Sequence, residues 1–182
     1  FLYWHTNASG AHILDADLYL QAVAALKAVV PDMAIQITTE AVGVYTPEEQ
    51  RKIVETVQPD HVSISLAEML SEGERDKAST FYRNCAERGT AVQHILYGPG
   101  DLEVFQSMLD QGELVASDLQ LLFVLGRYNL DQQSSPSHLD LFTDWLDTIN
   151  FPADWAVCAF GHGETDCLKA AIEASGKARV GF

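Results

Sequence analysis

Positive charge is scarce in this chain: 11 Lys and Arg stand against 26 Asp and Glu, a formal net charge of −15 at pH 7. That balance repels phosphate backbones and anionic lipid surfaces at long range, which argues against nucleic-acid binding and against a membrane-surface role. No apolar run approaches the ~20 residues that span a bilayer, and no secretory leader pattern opens the text. Cysteine is sparse as well. Cys85, Cys158 and Cys167 are odd in number and lack C-x-x-C spacing, so buried, reduced thiols in a cytoplasmic protein are expected rather than a disulfide framework. No Gly-rich phosphate turn follows any candidate strand, which disfavours a dinucleotide-binding open sheet. Low-complexity stretches are missing, and the most linker-like segment, Asn129 to Ser137, is short and polar.

What is present is a regular beat. With 47% hydrophobic residues among 182, the chain suits one domain with a sizeable core. Apolar, β-branched runs read as strands at Phe1–Trp4, Ala34–Thr39, His61–Leu66, Ala91–Tyr97, Leu121–Leu125, Asp154–Phe160 and Ala178–Phe182. They read as continuous apolar stretches, as expected of strands covered on both faces. Six helical patterns lie between them. Thr46-Pro47-Glu48-Glu49 combines a capping Thr, a first-turn Pro and the Glu of a capping box ahead of Ile53, Val54 and Val57. Asp15 begins a helix whose apolar face should be Leu18, Ala22, Ala25, Leu26 and Val29. Pro99 opens one carrying Leu102, Phe105 and Leu109, and Ser137 with Asp140 repeats the capping-box spacing.

Strand centres from Ile35 onward follow at intervals of 27, 30, 31, 34 and 23 residues. A (β/α)8 barrel of ~250 residues spends about 30 on each unit. The expected fold is therefore α/β, a (β/α)8 TIM barrel that is incomplete, about strands 2 to 8. Residues 1–182 should form a single barrel domain, with the first strand and last helix outside the text. Its sheet should have helices outside and an open slot for the first strand, leaving two exposed edges.

Barrel chemistry sits at the C-terminal ends of the strands. Here those positions are Trp4/His5, Thr38-Thr39-Glu40, Ser63/Ser65 with Glu68, Gln93/His94/Tyr97, Gly126-Arg127, Phe160-Gly161-His162 and Arg179. An arginine in an apolar strand has to meet a carboxylate or an anionic ligand, since an unpaired buried charge is costly. His61 opens a strand at the opposite, stability face. Glu48, Glu49, Glu55, Glu72 and Glu74 read as solvated helix faces and caps.

The ordered set Gly10-x-His12-x-Leu14-Asp15, Val30-Pro31-Asp32-Met33, Gln36-Ile37-Thr38-Thr39, Pro59-Asp60-His61-Val62-Ser63-Ile64-Ser65-Leu66 and Ala178-Arg179-Val180-Gly181-Phe182 resembles the β-keto acid cleavage enzymes, among them 3-keto-5-aminohexanoate cleavage enzyme. The resemblance implies a zinc-dependent, retro-Claisen-type exchange in which a β-keto acid and acetyl-CoA give acetoacetate and a new acyl-CoA. Family members take zinc from a His-x-His after the second strand and from a Glu after the eighth. They hold substrate with a Thr after the third strand and an Arg on the eighth. Arg179 matches that arginine, and Thr38 or Thr39 matches the threonine, so Arg179, Thr38 and Thr39 are the implied catalytic set. Arg179, Thr39, Glu40, Ser65 and Gln93 are the implied substrate contacts, and His5 is the implied metal ligand.

The carry-over has departures. The His-x-His position reads Tyr3-Trp4-His5 when one residue is deleted from the following loop, or Leu2-Tyr3-Trp4 without the deletion; Gln93 stands where the family has an acid, and Glu40 replaces the usual glycine. The family glutamate would follow Phe182. A homo-oligomer is expected. Two other readings stay open: a vestigial barrel that binds a carboxylate or CoA ligand at Arg179, and a zinc hydrolase of the amidohydrolase type, which would want further His and Asp ligands on later strands.

Overall fold

The computed structural model describes residues 10, 12–129 and 131–180. The expected strand at Phe1–Trp4, and His5 with it, lies outside them. By internal contacts the chain divides into two compact units, residues 1–93 and 94–182. Both are built from alternating helices and parallel strands, so the chain is α/β. No helix among the described residues is long and apolar enough to cross a membrane.

The first unit runs α1 (Ala16–Val29), β1 (Gln36–Thr38), α2 (Pro47–Val57), β2 (His61–Ser65), α3 (Leu66–Met69), α4 (Arg75–Arg88) and the opening of β3 (Ala91–Leu96). The boundaries are set by local chemistry. Asp15 caps α1 by accepting from the Leu18 N–H at 3.0 Å. The box at α2 forms on both sides: the Glu49 N–H donates to Thr46 Oγ1 at 3.3 Å and the Thr46 N–H to Glu49 Oε2 at 2.8 Å. Gly89 ends α4 in the left-handed region at φ 77°.

β1 and β2 pair in parallel, with Gln36 opposite His61, Ile37 opposite Val62 and Thr38 opposite Ser63. Register partners share a face of the sheet. One face is therefore apolar, with Ile37, Val62 and Ile64 buried, while the other presents Gln36, Thr38 and Ser63, also buried. This corrects the expectation of continuous apolar strands: both faces are covered here, yet one is lined by neutral polar groups.

The second unit continues with the rest of β3, then α5 (Pro99–Asp110), β4 (Leu119–Leu125), a 3-10 turn (Pro136–Leu139), α6 (Asp140–Leu146), β5 (Ala153–Ala159), α7 (Glu164–Glu173) and β6 (Lys177–Ala178). β4 pairs with β5 and β5 with β6, all parallel. Leu122, Val124, Ala156 and Cys158 form an apolar cluster with Ile95, Tyr97 and Phe160 against it. Phe123 faces the other way and stacks on Phe142 of α6 at 4.4 Å. Leu102, Phe105 and Leu109 are buried as the periodicity of α5 predicts. The three cysteines are free and buried, and burial pushes the Cys158 thiol up to about 12.

Several boundaries move. Leu66 leaves the strand for a one-turn helix because Ser65 caps it, and among the described residues the last strand covers Lys177–Ala178, with Gly181 and Phe182 of the expected strand lying outside them. The cap expected at Ser137 belongs to Ser135, whose N–H donates to His138 Nδ1 at 3.3 Å, while Ser137 bonds its hydroxyl. On α1 the buried residue is Tyr19, whereas Leu18 and Val29 are exposed, Val29 by 79%. Glu74 is no solvated face: it pairs with Arg51, which is only 7% exposed, and with Lys77.

Candidate active site at the strand ends

In the first unit, the chain leaving β1 is pinned at four consecutive residues. The Tyr19 hydroxyl donates to the Thr38 carbonyl at 2.9 Å. The Glu40 N–H turns back onto Thr38 Oγ1 at 3.3 Å. Gln50, fully buried on α2, donates from Nε2 to the Thr39 carbonyl at 2.6 Å and to Glu68 Oε2 at 3.0 Å. The same Glu68 oxygen accepts from the Ala41 N–H at 2.9 Å. Glu68 gets there because the one-turn helix starts directly at the end of β2, where Ser65 Oγ takes the Glu68 N–H at 3.2 Å.

The polar face of β1 and β2 leads into this turn. The Gln36 amide donates to Gln93 Oε1 at 3.4 Å, which puts Gln93 on the same face as Gln36, Thr38 and Ser63. Among the described residues, the buried Thr39 Oγ1, Ser63 Oγ and Gln50 Oε1 have no hydrogen-bond partner. Leaving a buried hydroxyl or amide unsatisfied costs ~1–3 kcal/mol, so groups of this kind call for an explanation such as a ligand or bound water.

The electrostatics are those of a shielded acid. Burial raises the Glu68 carboxyl above the usual range, and the nearby Glu40 charge adds to it; the Ala41 N–H, the Gln50 amide and His12 pull the other way. The His12 ring stands edge-on to Tyr45 at 5.8 Å. Burial lifts the Tyr19 phenol far above its ordinary value, so it acts only as a neutral donor.

The second unit holds the remaining candidates. Arg179 lies one residue past β6, its N–H bonded to the Val157 carbonyl at 2.8 Å. Burial lowers the guanidinium to about 10, which leaves it cationic at neutral pH. The loop after β4 is seated against the end of β5. Ser134 donates to the Phe160 carbonyl through N–H and Oγ, at 3.1 and 2.6 Å. The His162 N–H donates to Gln133 Oε1 at 2.9 Å. Glycine makes that seat possible: at Gly126, φ is +85° and an added Cβ would lie 2.9 Å from the Gln133 carbonyl. Arg127 lies over the Phe160 ring at 5.4 Å.

Among the described residues the later histidines belong to no group that could hold a metal ion. His94 is buried against Phe105 at 5.1 Å, and burial lowers it to about 4, so it is neutral; His162 is exposed. Among the described residues no group of three His, Cys, Asp or Glu could hold a metal ion. The described residues thus do not fit zinc on their own, and nothing there supplies the further ligands that an amidohydrolase would need.

Thr38, Thr39, Glu40, Ser65 and Gln93 therefore fall in the first unit, the first four in or beside the pinned turn, and Arg179 falls in the second. Sequence reasoning missed Gln50 and Tyr19. The signal for Gln50 was available: it shares the 3.6-residue face of Ile53, Val54 and Val57, where a polar residue needs a buried partner. For Glu68 the signal is Ser65-Leu66-Ala67-Glu68, capping-box spacing at a strand end.

A family model described as beta-keto acid cleavage enzyme matches residues 2–182. No curated protein matches the chain.

Proposed function

The chain belongs to the β-keto acid cleavage enzyme family, and on that premise we propose that it exchanges acyl groups between a β-keto acid and acetyl-CoA. The acid loses its acyl portion to CoA by cleavage between the keto carbon and the α-carbon. The two-carbon remainder and the acetyl group leave as acetoacetate. The parallel β/α order fits a (β/α)8 barrel, whose chemistry belongs at the strand ends.

The observation that carries this reading is the pinned turn after β1 with unsatisfied Thr39 and Ser63 hydroxyls beside it. Cleavage develops negative charge on a former keto oxygen, and fixed neutral donors stabilise such charge better than mobile water does. Thr38, Thr39 and Ser63 supply hydroxyls, Gln93 an amide, and Ser65 holds Glu68 in place. Glu40 is assigned to the substrate's reacting carbons. Arg179 is assigned to its carboxylate, because a planar guanidinium binds both carboxylate oxygens. Zinc, when bound, would polarise the keto oxygen, and His5 is the residue proposed to hold it.

The test is direct. Full-length protein, with and without added zinc, is incubated with acetyl-CoA and a panel of β-keto acids that differ in chain length and amino substitution. Acetoacetate and a matching acyl-CoA should form in equal amounts. If no acid in the panel yields either product, yet one still binds in a titration, the non-catalytic carboxylate-binding reading replaces this one.

A further inference from the structure

The capping-box spacing opens two helices in the first unit, α2 and α3, with different outcomes. Thr46 and Glu49 satisfy each other. Ser65 takes the Glu68 N–H, but the Glu68 carboxylate reaches across to β1 and accepts the Ala41 N–H instead. Gln50 completes the arrangement, because its single Nε2 bridges that carboxylate and the Thr39 carbonyl. Two side chains from α2 and α3 thereby close a hydrogen-bonded ring around Thr39, Glu40 and Ala41. Beyond the ring the backbone turns through the left-handed region at Val42 and Gly43, with φ of 45° and 70°.

We propose that Glu68 and Gln50 are positioning residues that hold the Thr39–Ala41 turn, so that the Thr39 hydroxyl and the Glu40 carboxylate are presented in one fixed arrangement to substrate. The proposal rests on the functional reading above. Neither residue needs to touch substrate. The Ala41 N–H is held by a carboxylate oxygen, a charge-assisted bond of the stronger kind. The Gln50 amide spends both of its donor hydrogens on the ring. Gln50 is three residues into α2 and Glu68 three residues past β2, so the turn is fixed to regular structure on either side rather than to another loop. Preorganisation of this kind shows in turnover more than in ground-state affinity, because misplacement by about 1 Å can cost on the order of a hundredfold in rate.

Two measurements on the full-length protein test it. The first is hydrogen exchange over residues 39–45, which reads the ring without reference to activity. Glu68→Ala should remove the protection of the Ala41 amide, and Glu68→Gln, which keeps an acceptor oxygen, should retain most of it. The second is steady-state kinetics with the β-keto acid that the panel identifies. Glu68→Ala should lower kcat by about ten- to a hundredfold with KM within about threefold, and Glu68→Gln should restore most of kcat. Unchanged Ala41 protection in Glu68→Ala overturns the ring. Loosened exchange with unchanged kcat overturns the positioning role. If Glu68→Ala does not fold, Gln50→Leu replaces it: this variant opens the ring at the Thr39 carbonyl but keeps the Glu68–Ala41 bond. Exchange over residues 39–41 should then quicken by less than full loss of protection, and kcat should fall at little-changed KM. Unchanged exchange overturns the ring and unchanged kcat overturns the positioning role. A wild-type protein that turns over no acid refutes the functional reading, and the exchange arm still decides whether the ring exists.

Discussion

The Tyr19 hydroxyl donates to the Thr38 carbonyl at 2.9 Å across 19 residues of sequence, tying α1 to the last residue of β1. Removing that oxygen takes a hydrogen bond from a buried carbonyl while the ring still fills its site. Tyr19→Phe should therefore destabilise the protein by ~1–2 kcal/mol, read as a lower urea midpoint at unchanged slope. An unchanged midpoint would mean that water replaces the phenol at no cost.

His94 makes acid stability a sharp test. Burial lowers its folded pKa to about 4 from the ordinary 6.5, so the native state resists a proton that the unfolded chain accepts. The contribution is present above pH 6.5 and is lost as pH falls toward 4, by ~3 kcal/mol when the shift is converted at 1.36 kcal/mol per unit. His94→Leu should flatten the fall in unfolding free energy between those pH values relative to wild type. Parallel pH profiles would show that His94 is protonated in the folded protein.

Arg179 is predicted to bind the substrate carboxylate as a fork. Arg179→Lys keeps the charge but loses the second hydrogen bond, and carboxylate affinity should fall by ~1–3 kcal/mol in a calorimetric titration. Unchanged affinity would reassign Arg179 to a structural pair.

Glycines after β4 and β5 separate backbone strain from steric contact. At Gly126 the left-handed backbone alone should cost an alanine ~1–2 kcal/mol, and the Cβ would also press on Gln133. Gly163 has no positive φ, yet a Cβ there would collide with the Ser134 carbonyl oxygen. Both Gly126→Ala and Gly163→Ala should lower Tm. If Gly163→Ala alone proves neutral, the segment carrying Gln133 and Ser134 is free to shift away from β5.

The elements that could be read from the sequence are those fixed by near neighbours. Thr46, Pro47 and Glu49 lie within one turn, so their cap is visible in the text, and the period of Leu102, Phe105 and Leu109 needs no partner to be seen. Gln50 is legible as a polar residue on the apolar face of its helix, but its partner is not, and Tyr19 is not legible at all: the carbonyls they reach, of Thr39 and Thr38, belong to another element and carry no side-chain identity. α1 shows the same limit: its hydrophobic period favours Leu18 and Val29, but the rotation observed is the one that buries Tyr19 against β1. The family-like residues Thr38, Thr39 and Arg179 were found from the ordered motifs, whereas the groups that hold the turn in place come from tertiary pairing.

The neutral polar groups on β1 and β2 also govern how the strands align during folding. Side chains alternate with a period of two, so a slip of β1 by one residue against β2 would drive Gln36 and Thr38 into the layer that now holds Ile37, Val62 and Ile64. It would break the Gln36–Gln93 bond in the same step. A mispaired strand therefore buries two polar groups and exposes an isoleucine to amides, a penalty on both faces at once. In most half-buried sheets the apolar face alone guards the alignment; here the buried polar groups of the opposite face proofread it as well.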